Sequence, residues 1–405
     1  MRTKLLARSL PAIEGRIYEK SYKPPVWFAR WLYSQLTYES TTMKTTNFHA
    51  LHVAAGAKMV SFAGFEMPIQ YPTGILGEHR IVRTGVGVFD VSHMGEFFVK
   101  GADALAFIQK ITVNDASKLA PGKAQYSALP RPDGGLVDDL LVYMRGENDY
   151  MLVVNGANID KDWAWVSENT AGFTDLELTN HSDDINLLAV QGPKSIEVLQ
   201  RLTEAPLGDV PYYSFVDGSL AGVEMILSRT GYTGEVGFEL YFRGDVSVCE
   251  AVCAALFDAG KEEGIAWIGL GARDTLRLEK GYCLYGNDIT DETNPIEAGL
   301  GWITKLAKGT FNGSDVIAKV KEDGPSRKLV GFVMRSEKLI PRNGYPIVIN
   351  GQTVGHVTSG NTSPGLGTGI GLGYVPTASS APGSMIEIAA RGTTFPAEVV
   401  KIPFC

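Results

Sequence analysis

The strongest constraint on the fold is a repeat inside the chain. Gly101-Ala-Asp-Ala-Leu-Ala-Phe-Ile-Gln-Lys-Ile-Thr112 aligns without a gap to Gly192-Pro-Lys-Ser-Ile-Glu-Val-Leu-Gln-Arg-Leu-Thr203. Each segment follows a short apolar run, at 96–99 and 187–190, and reads as strand, glycine turn, helix. Leu105, Phe107, Ile108 and Ile111 stand where the second copy has Ile196, Val198, Leu199 and Leu202, so both carry one apolar stripe at helical spacing. Pro193 falls just inside the second helix, where proline is tolerated. Strand patterns at 135–144 and 150–155 and a helix at 161–168 complete the first unit; 223–228, 237–242 and 246–258 complete the second. The predicted unit is β-α-β-β-α, present twice. The fold class is therefore α+β, two related units side by side, with the seam between them as the expected ligand site.

The texture changes after Gly324-Pro325, where a boundary is expected. Strand-like runs at 328–334, 345–349, 353–358, 385–389 and 397–401 alternate with turn residues. Asn343-Gly344 and Asn350-Gly351 are hairpin signals, because such a turn needs positive φ at both central positions. Residues 324–405 are predicted to form a small antiparallel β-barrel, and 43–323 the region holding both repeated units. The first 42 residues differ in kind. They are rich in Arg, Lys and aromatic side chains, lack a signal-peptide layout, and are expected to stand outside a fold that begins at Met43.

Composition excludes several classes. A net charge of -8 argues against a nucleic-acid footprint, which needs a basic face. No apolar run reaches the length of a membrane span. The four cysteines fit a reducing compartment, and Cys249 and Cys253, four apart, read as small buried apolar residues rather than metal ligands. A cytoplasmic location is expected, or the mitochondrial matrix if residues 1–42 are a transit peptide.

Three motifs carry chemistry. In Gly134-Gly-Leu-Val-Asp-Asp-Leu140 two aspartates are adjacent in a strand, so one of them must face the apolar side and needs a partner or a ligand there. Gly231-Tyr-Thr-Gly-Glu-Val-Gly237 brings a carboxylate, Glu235, and open backbone into a tight turn. By the repeat, Glu235 is expected at about the place of Asp138 in the first unit. Two acids facing one seam suit a ligand rich in N–H donors, since a carboxylate meets a guanidine-like edge with two hydrogen bonds. Gly271-Ala-Arg-Asp-Thr-Leu-Arg-Leu-Glu279 reads as a helix with Arg273 and Arg277 one turn apart. Either arginine suits an anionic tail, or a pairing with Asp274 or Glu279, and at least one is expected to be structural. His93 is expected to be buried and hydrogen-bonded. There is no Gly-x-Ser-x-Gly elbow, phosphate loop or strand-linked dinucleotide fingerprint.

Together with Phe89-Asp-Val-Ser-His-Met94 and Leu284-Tyr-Gly-Asn-Asp-Ile289, these motifs resemble, in order, those of the aminomethyltransferase (T-protein) family of the glycine cleavage system. The likeness runs from about Met43 to the C-terminus. It implies a three-lobed arrangement with tetrahydrofolate, a co-substrate, at the centre. The family's catalytic aspartate falls on Asp138, its pterin-binding glutamate on Glu235 and its folate-contacting arginine on Arg273; Met94, Tyr126 and Asn155 match further pocket positions. The implied partner is the lipoylated carrier (H-protein) of glycine cleavage, whose aminomethyl carbon passes to tetrahydrofolate. The products are 5,10-methylene-tetrahydrofolate, ammonia and dihydrolipoyl carrier. Relatives often continue beyond the position of Cys405, so a contact from a later residue is not carried over.

The resemblance leaves two alternatives: a tetrahydrofolate-dependent demethylase acting on another methyl donor, and a folate-binding protein without turnover. Flavin-linked relatives are disfavoured because no dinucleotide domain is present.

Overall fold

The computed structural model describes residues 43–336 and 338–405; the expectation for residues 1–42 lies outside the described residues. The fold opens with the helix His49–Ala54, the hairpin of β1 (Lys58–Phe62) and β2 (Phe65–Gln70), the helix Gly74–Thr84 and β3 (Gly87–Asp90). The first repeated unit follows as β4 (Gly95–Lys100), the helix Ala104–Ile111, β5 (Lys123–Pro130), β6 (Leu136–Gly146), β7 (Asp149–Val154), the helix Ile159–Glu168 and β8 (Glu177–Asn180). The second runs β9 (Asn186–Gln191), helix Ser195–Gln200, β10 (Phe215–Leu220), β11 (Val223–Ser228), β12 (Gly237–Phe242) and helix Val246–Ala259. Then come β13 (Ala266–Trp267) and the helix Leu270–Glu279. The first unit thus has two strands more than the spacing predicts, β5 and β8, and the second has one, β10. β5 and β10 are paired antiparallel to the strands that follow them, and β8 pairs antiparallel with β4.

The strand order shows the repeat directly. The first sheet is β5-β6-β7-β4-β8 and the second β10-β11-β12-β9-β3-β13, so corresponding strands occupy corresponding places. One face of the first sheet packs on its own helices through Phe97, Phe107, Ile108, Val142 and Leu152. One face of the second packs on its helices through Leu188, Val190, Phe238, Leu240 and Leu256. Cys249 and Cys253 are buried in that second core. The remaining faces meet across a shared core of Phe98, Tyr143, Met151, Leu187, Phe215 and Tyr241. The result is helix, sheet, sheet, helix. Both faces of each sheet are covered, and each fully buried large apolar side chain contributes about 1.5–3 kcal/mol.

After the helix Ser314–Asp323, Gly324 and Pro325 lead into the C-terminal strands β14 (Arg327–Met334), β15 (Pro346–Ile349), β16 (Gln352–Ser363), β17 (Thr368–Pro376), β18 (Met385–Ala390) and β19 (Thr393–Val400). They close a six-stranded barrel in the order β14-β17-β16-β15-β18-β19, antiparallel throughout. The barrel meets the helix Leu270–Glu279 through polar side chains. Glu279 accepts from Ser363 Oγ at 2.6 Å and the Gly365 N–H at 2.9 Å, and Arg277 donates to Ser359 Oγ at 2.9 Å. That helix is fixed at its other end by Gly269, whose N–H donates to buried Glu78 at 2.8 Å. A Cβ on Gly269 would lie 2.5 Å from the Ile69 carbonyl oxygen, so only glycine fits there. This anchoring sets where Arg273 points.

Candidate functional site

A cavity of about 410 Å³ opens in the seam. The pleat of β6 decides which aspartate reaches it. Leu141 and Tyr143 belong to the shared core and Leu140 and Val142 to the helix-side core. Alternation therefore turns Asp139 into the seam and Asp138 toward the helix Ile159–Glu168. Asp139 lines the cavity. Asp138 is fully buried behind it, where Oδ2 accepts from the Asn155 N–H at 3.1 Å and Oδ1 from the side-chain amides of Asn155 and Asn158 at 2.9 and 2.8 Å.

Asp139 is held from two strands. Tyr126 sits opposite Leu141 on β5, hence diagonal to Asp139 on the same face, and its hydroxyl donates to Asp139 Oδ2 at 2.7 Å. Asn155, just after β7, donates to Asp139 Oδ1 at 2.8 Å. Burial, and then the charge of Asp138, push the Asp139 carboxyl up to about 7, so it changes charge near neutral pH.

The facing wall comes from β12. Phe238 and Leu240 enter the helix-side core, so Glu239 and Tyr241 face the seam and both line the cavity. Glu239 lies opposite Ala189 of β9, whose small side chain leaves room above it. It accepts a hydrogen bond from Thr230, and burial raises its pKa. Arg273 completes the polar set. Its guanidinium lies over the Tyr232 ring, 4.5 Å from the centroid, and it makes no salt bridge among the described residues. Arg277, one turn on, is fully engaged by Asp274 at 2.7 Å and Asp288 at 2.9 Å. Of the two arginines, Arg277 is structural and Arg273 faces the cavity. Exposed Tyr212, Trp302 and Ile402 stand at the cavity and make its opening apolar.

This arrangement has counterparts in known proteins. Residues 48–308 match the family model for the GCVT N-terminal domain, and 327–405 that for the glycine cleavage T-protein C-terminal barrel domain. The chain belongs to the glycine cleavage T-protein family. It is 56% identical over 364 residues to an aminomethyltransferase of Flavobacterium psychrophilum, covering 89% of this chain and 99% of the relative. An aminomethyltransferase of Halothermothrix orenii is 49% identical over 362 residues, 89% of this chain and 100% of the relative. The crystal structure of glycine cleavage system aminomethyltransferase T from Bartonella henselae superposes with a TM-score of 0.82 at 34% identity, covering 90% of this chain and 98% of that one.

Of the residues expected from the family motifs, Met94, Tyr126, Asn155 and Arg273 line the cavity, whereas Asp138 and Glu235 do not. Glu235 pairs with Arg83 of the helix Gly74–Thr84 at 2.9 Å. It lies in the turn between β11 and β12, whereas Asp138 lies within β6, so the two are not repeat equivalents. The seam-facing carboxylates are their neighbours, Asp139 and Glu239. Strand alternation supplied the signal for both, and the missing information was which face the seam would take. His93 is buried as expected, but its Nδ1 has no hydrogen-bond partner among the described residues. Its ring packs edge-on to Phe62. Burial, then Arg273, depress its pKa to about 4, which keeps it neutral.

Proposed function

We infer that the chain is an aminomethyltransferase of glycine cleavage, which moves the aminomethyl carbon from a lipoylated carrier protein to tetrahydrofolate. The products are 5,10-methylene-tetrahydrofolate, ammonia and the dihydrolipoyl carrier. The observation that carries this reading is the meeting of Asp139 and Glu239, from two different sheets, in one aromatic-walled cavity with Arg273.

The residues present suit a folate. Glu239 offers two acceptor oxygens on a face bordered by Tyr241 and Ala189, as the guanidine-like edge of a pterin requires. Arg273 has a planar fork free of salt bridges among the described residues for an anionic or carbonyl group of the ligand. Tyr232 and Trp302 supply flat apolar surface for the rings. When bound, tetrahydrofolate supplies the nitrogen nucleophiles that accept the carbon.

Asp139 is the residue we assign to the chemistry. As a carboxylate it orients an N–H of the ligand and stabilises positive charge developing on nitrogen. Enclosure among Leu141, Val153 and Tyr241 strengthens that interaction relative to water. Tyr126 and Asn155 fix both of its oxygens, so little reorganisation accompanies reaction. The apolar opening at Tyr212, Trp302 and Ile402 suits the aliphatic lipoyl arm of the carrier.

The test mixes the purified chain with aminomethylated lipoyl carrier protein, with and without tetrahydrofolate, and follows ammonia and methylene-tetrahydrofolate. Folate-dependent, equimolar release of both is the expected result. Tight folate binding without release would move the assignment to another methyl donor or to a binding role.

A further inference from the structure

The pair of acids behind Asp139 is not explained by a scaffolding role. Asp162, on the helix Ile159–Glu168, is fully buried, and neither of its oxygens receives a hydrogen bond from any donor among the described residues. It interacts with the carboxyl of Asp138, which β6 turns toward this helix. Two carboxyl groups form a hydrogen bond only when one of them carries a proton. The neighbouring donors decide which. Burial raises the Asp138 carboxyl, but the Asn155 N–H and the amides of Asn155 and Asn158 all point at it, and three N–H groups favour the ionised form of the acid they reach. Asp162 has none.

We propose that Asp162 is a positioning residue whose carboxyl, neutral at physiological pH, donates its proton to Asp138 and thereby keeps Asp138 an anion directly behind Asp139. That fixed charge adds to burial in favouring the protonated form of Asp139. This rests on the reading above that Asp139 acts on the ligand's nitrogens. Its consequence is that Asp139 gains and loses charge within the working pH range, as suits a reaction that liberates ammonia.

The rest of the surroundings is consistent. Lys161 adjoins Asp162 in sequence, but its Nζ is turned to the Tyr285 hydroxyl at 2.8 Å and is 4.0 Å from Asp291. Tyr285, whose own hydroxyl also meets Asp291 at 3.0 Å, stays protonated. On the cavity side, Tyr126, Tyr232 and Cys283 face Asp139, and all three are pushed up by burial. His93, which packs against Gly156, is neutral. Among the described residues, no cation therefore pairs with Asp138. Burial, then the charge of Asp138, push the Asp162 carboxyl up to about 11.

The experiment titrates the Asp139 carboxyl in the free full-length protein by carbon-13 NMR of aspartate-labelled material, with the resonance assigned by its loss in Asp139→Asn. In Asp162→Asn the amide is a neutral donor like the protonated acid, and the midpoint is expected to stay within about 0.3 unit. In Asp138→Asn the charge is gone, and the midpoint is expected to fall by about one unit or more, a tenfold change in the protonation constant. The acid limb of kcat/KM should move with it. A wild-type minus Asp162→Asn infrared difference spectrum at neutral pH should show one protonated carboxylic acid, whether or not Asp138→Asn folds. An Asp139 midpoint that drops equally in Asp162→Asn, one that stays put in Asp138→Asn, or a difference spectrum without the acid band overturns the proposal. None of these titrations requires turnover, so failure of aminomethyl transfer is a separate outcome.

Discussion

The Tyr126 hydroxyl donates to Oδ2 of Asp139 at 2.7 Å, one strand away and on the same face of the sheet. A donor on the carboxylate favours its charged form, so this contact opposes the burial and the Asp138 charge that raise the group. Tyr126→Phe removes the donor and leaves the ring. The Asp139 midpoint should rise above its present value of about 7, which moves the acid limb of kcat/KM to higher pH. At the pH optimum the rate should fall about tenfold, the worth of one hydrogen bond to a charged group. An unchanged acid limb would show that Asp139 does not control the rate.

Glu235 and Glu239 are four residues apart and are separated by the fold. Glu235→Gln breaks an ion pair with Arg83, but Arg83 keeps Glu279 at 2.9 Å and the Thr233 carbonyl at 2.7 Å. Tetrahydrofolate affinity, read by fluorescence or calorimetry, should change less than about twofold in that variant, with stability lower by about 1 kcal/mol or less. Glu239→Gln changes an acceptor inside the cavity and should weaken binding by about ten- to a hundredfold, about 1.4–2.8 kcal/mol. The reverse ranking would return the pterin contact to the glycine turn.

These two pairs show what was legible in the sequence. The repeat was visible because its helices keep a clean apolar stripe, and the barrel partly because Asn350-Gly351 turns β15 into β16 with both residues at positive φ; Asn343-Gly344, where only the glycine has positive φ, precedes β15 and makes no hairpin. β5 and β10 were hidden. The first begins Lys-Ala-Gln-Tyr and the second reads Phe-Val-Asp-Gly-Ser-Leu, so polar and flexible residues blur the alternation. Alternation did say that Asp138 and Asp139 face opposite ways. It could not say which one lines the cavity, because β6 is buried on both faces and neither side reads as solvent. Arg273 and Arg277 share a helix face in the same way. They are distinguished by Asp288 and Ser359, residues whose proximity depends on the tertiary fold.

The raised Asp139 has a stability signature. Its carboxyl titrates near 7 when folded against an ordinary value of 3.8, so between those values the folded protein binds more protons than the unfolded chain. Stability is therefore lost as pH rises from about 4 to about 7, and the loss is complete above that. Asp139→Asn does not ionise and escapes it. The difference in unfolding free energy between the variant and wild type should grow by about 2–4 kcal/mol across this window, on top of any constant offset from altered hydrogen bonds. Urea titrations at several pH values measure it. A difference that stays flat would place Asp139 in the ordinary carboxylate range.

The last prediction concerns how β6 is seated. Gly134 takes a positive φ of +83° in the turn before the strand, and Gly135 follows with no space at its α-carbon: a Cβ there would lie 1.8 Å from the backbone oxygen of Asp291. A backbone atom cannot rotate away as a side chain can, so Gly135→Ala must displace either the start of β6 or the segment around Asp291. A cost of about 2–4 kcal/mol is expected, in the range of overpacking at a rigid contact. Gly222, at φ +79° with nothing within 4 Å, is the control: Gly222→Ala bears only the conformational strain, about 1 kcal/mol. Because β6 carries Asp139 four residues on, Gly135→Ala should also lower kcat/KM more than its stability loss explains at temperatures where it remains folded. Equal urea midpoints for the two variants would mean that the contact with Asp291 yields freely and does not fix the register of β6.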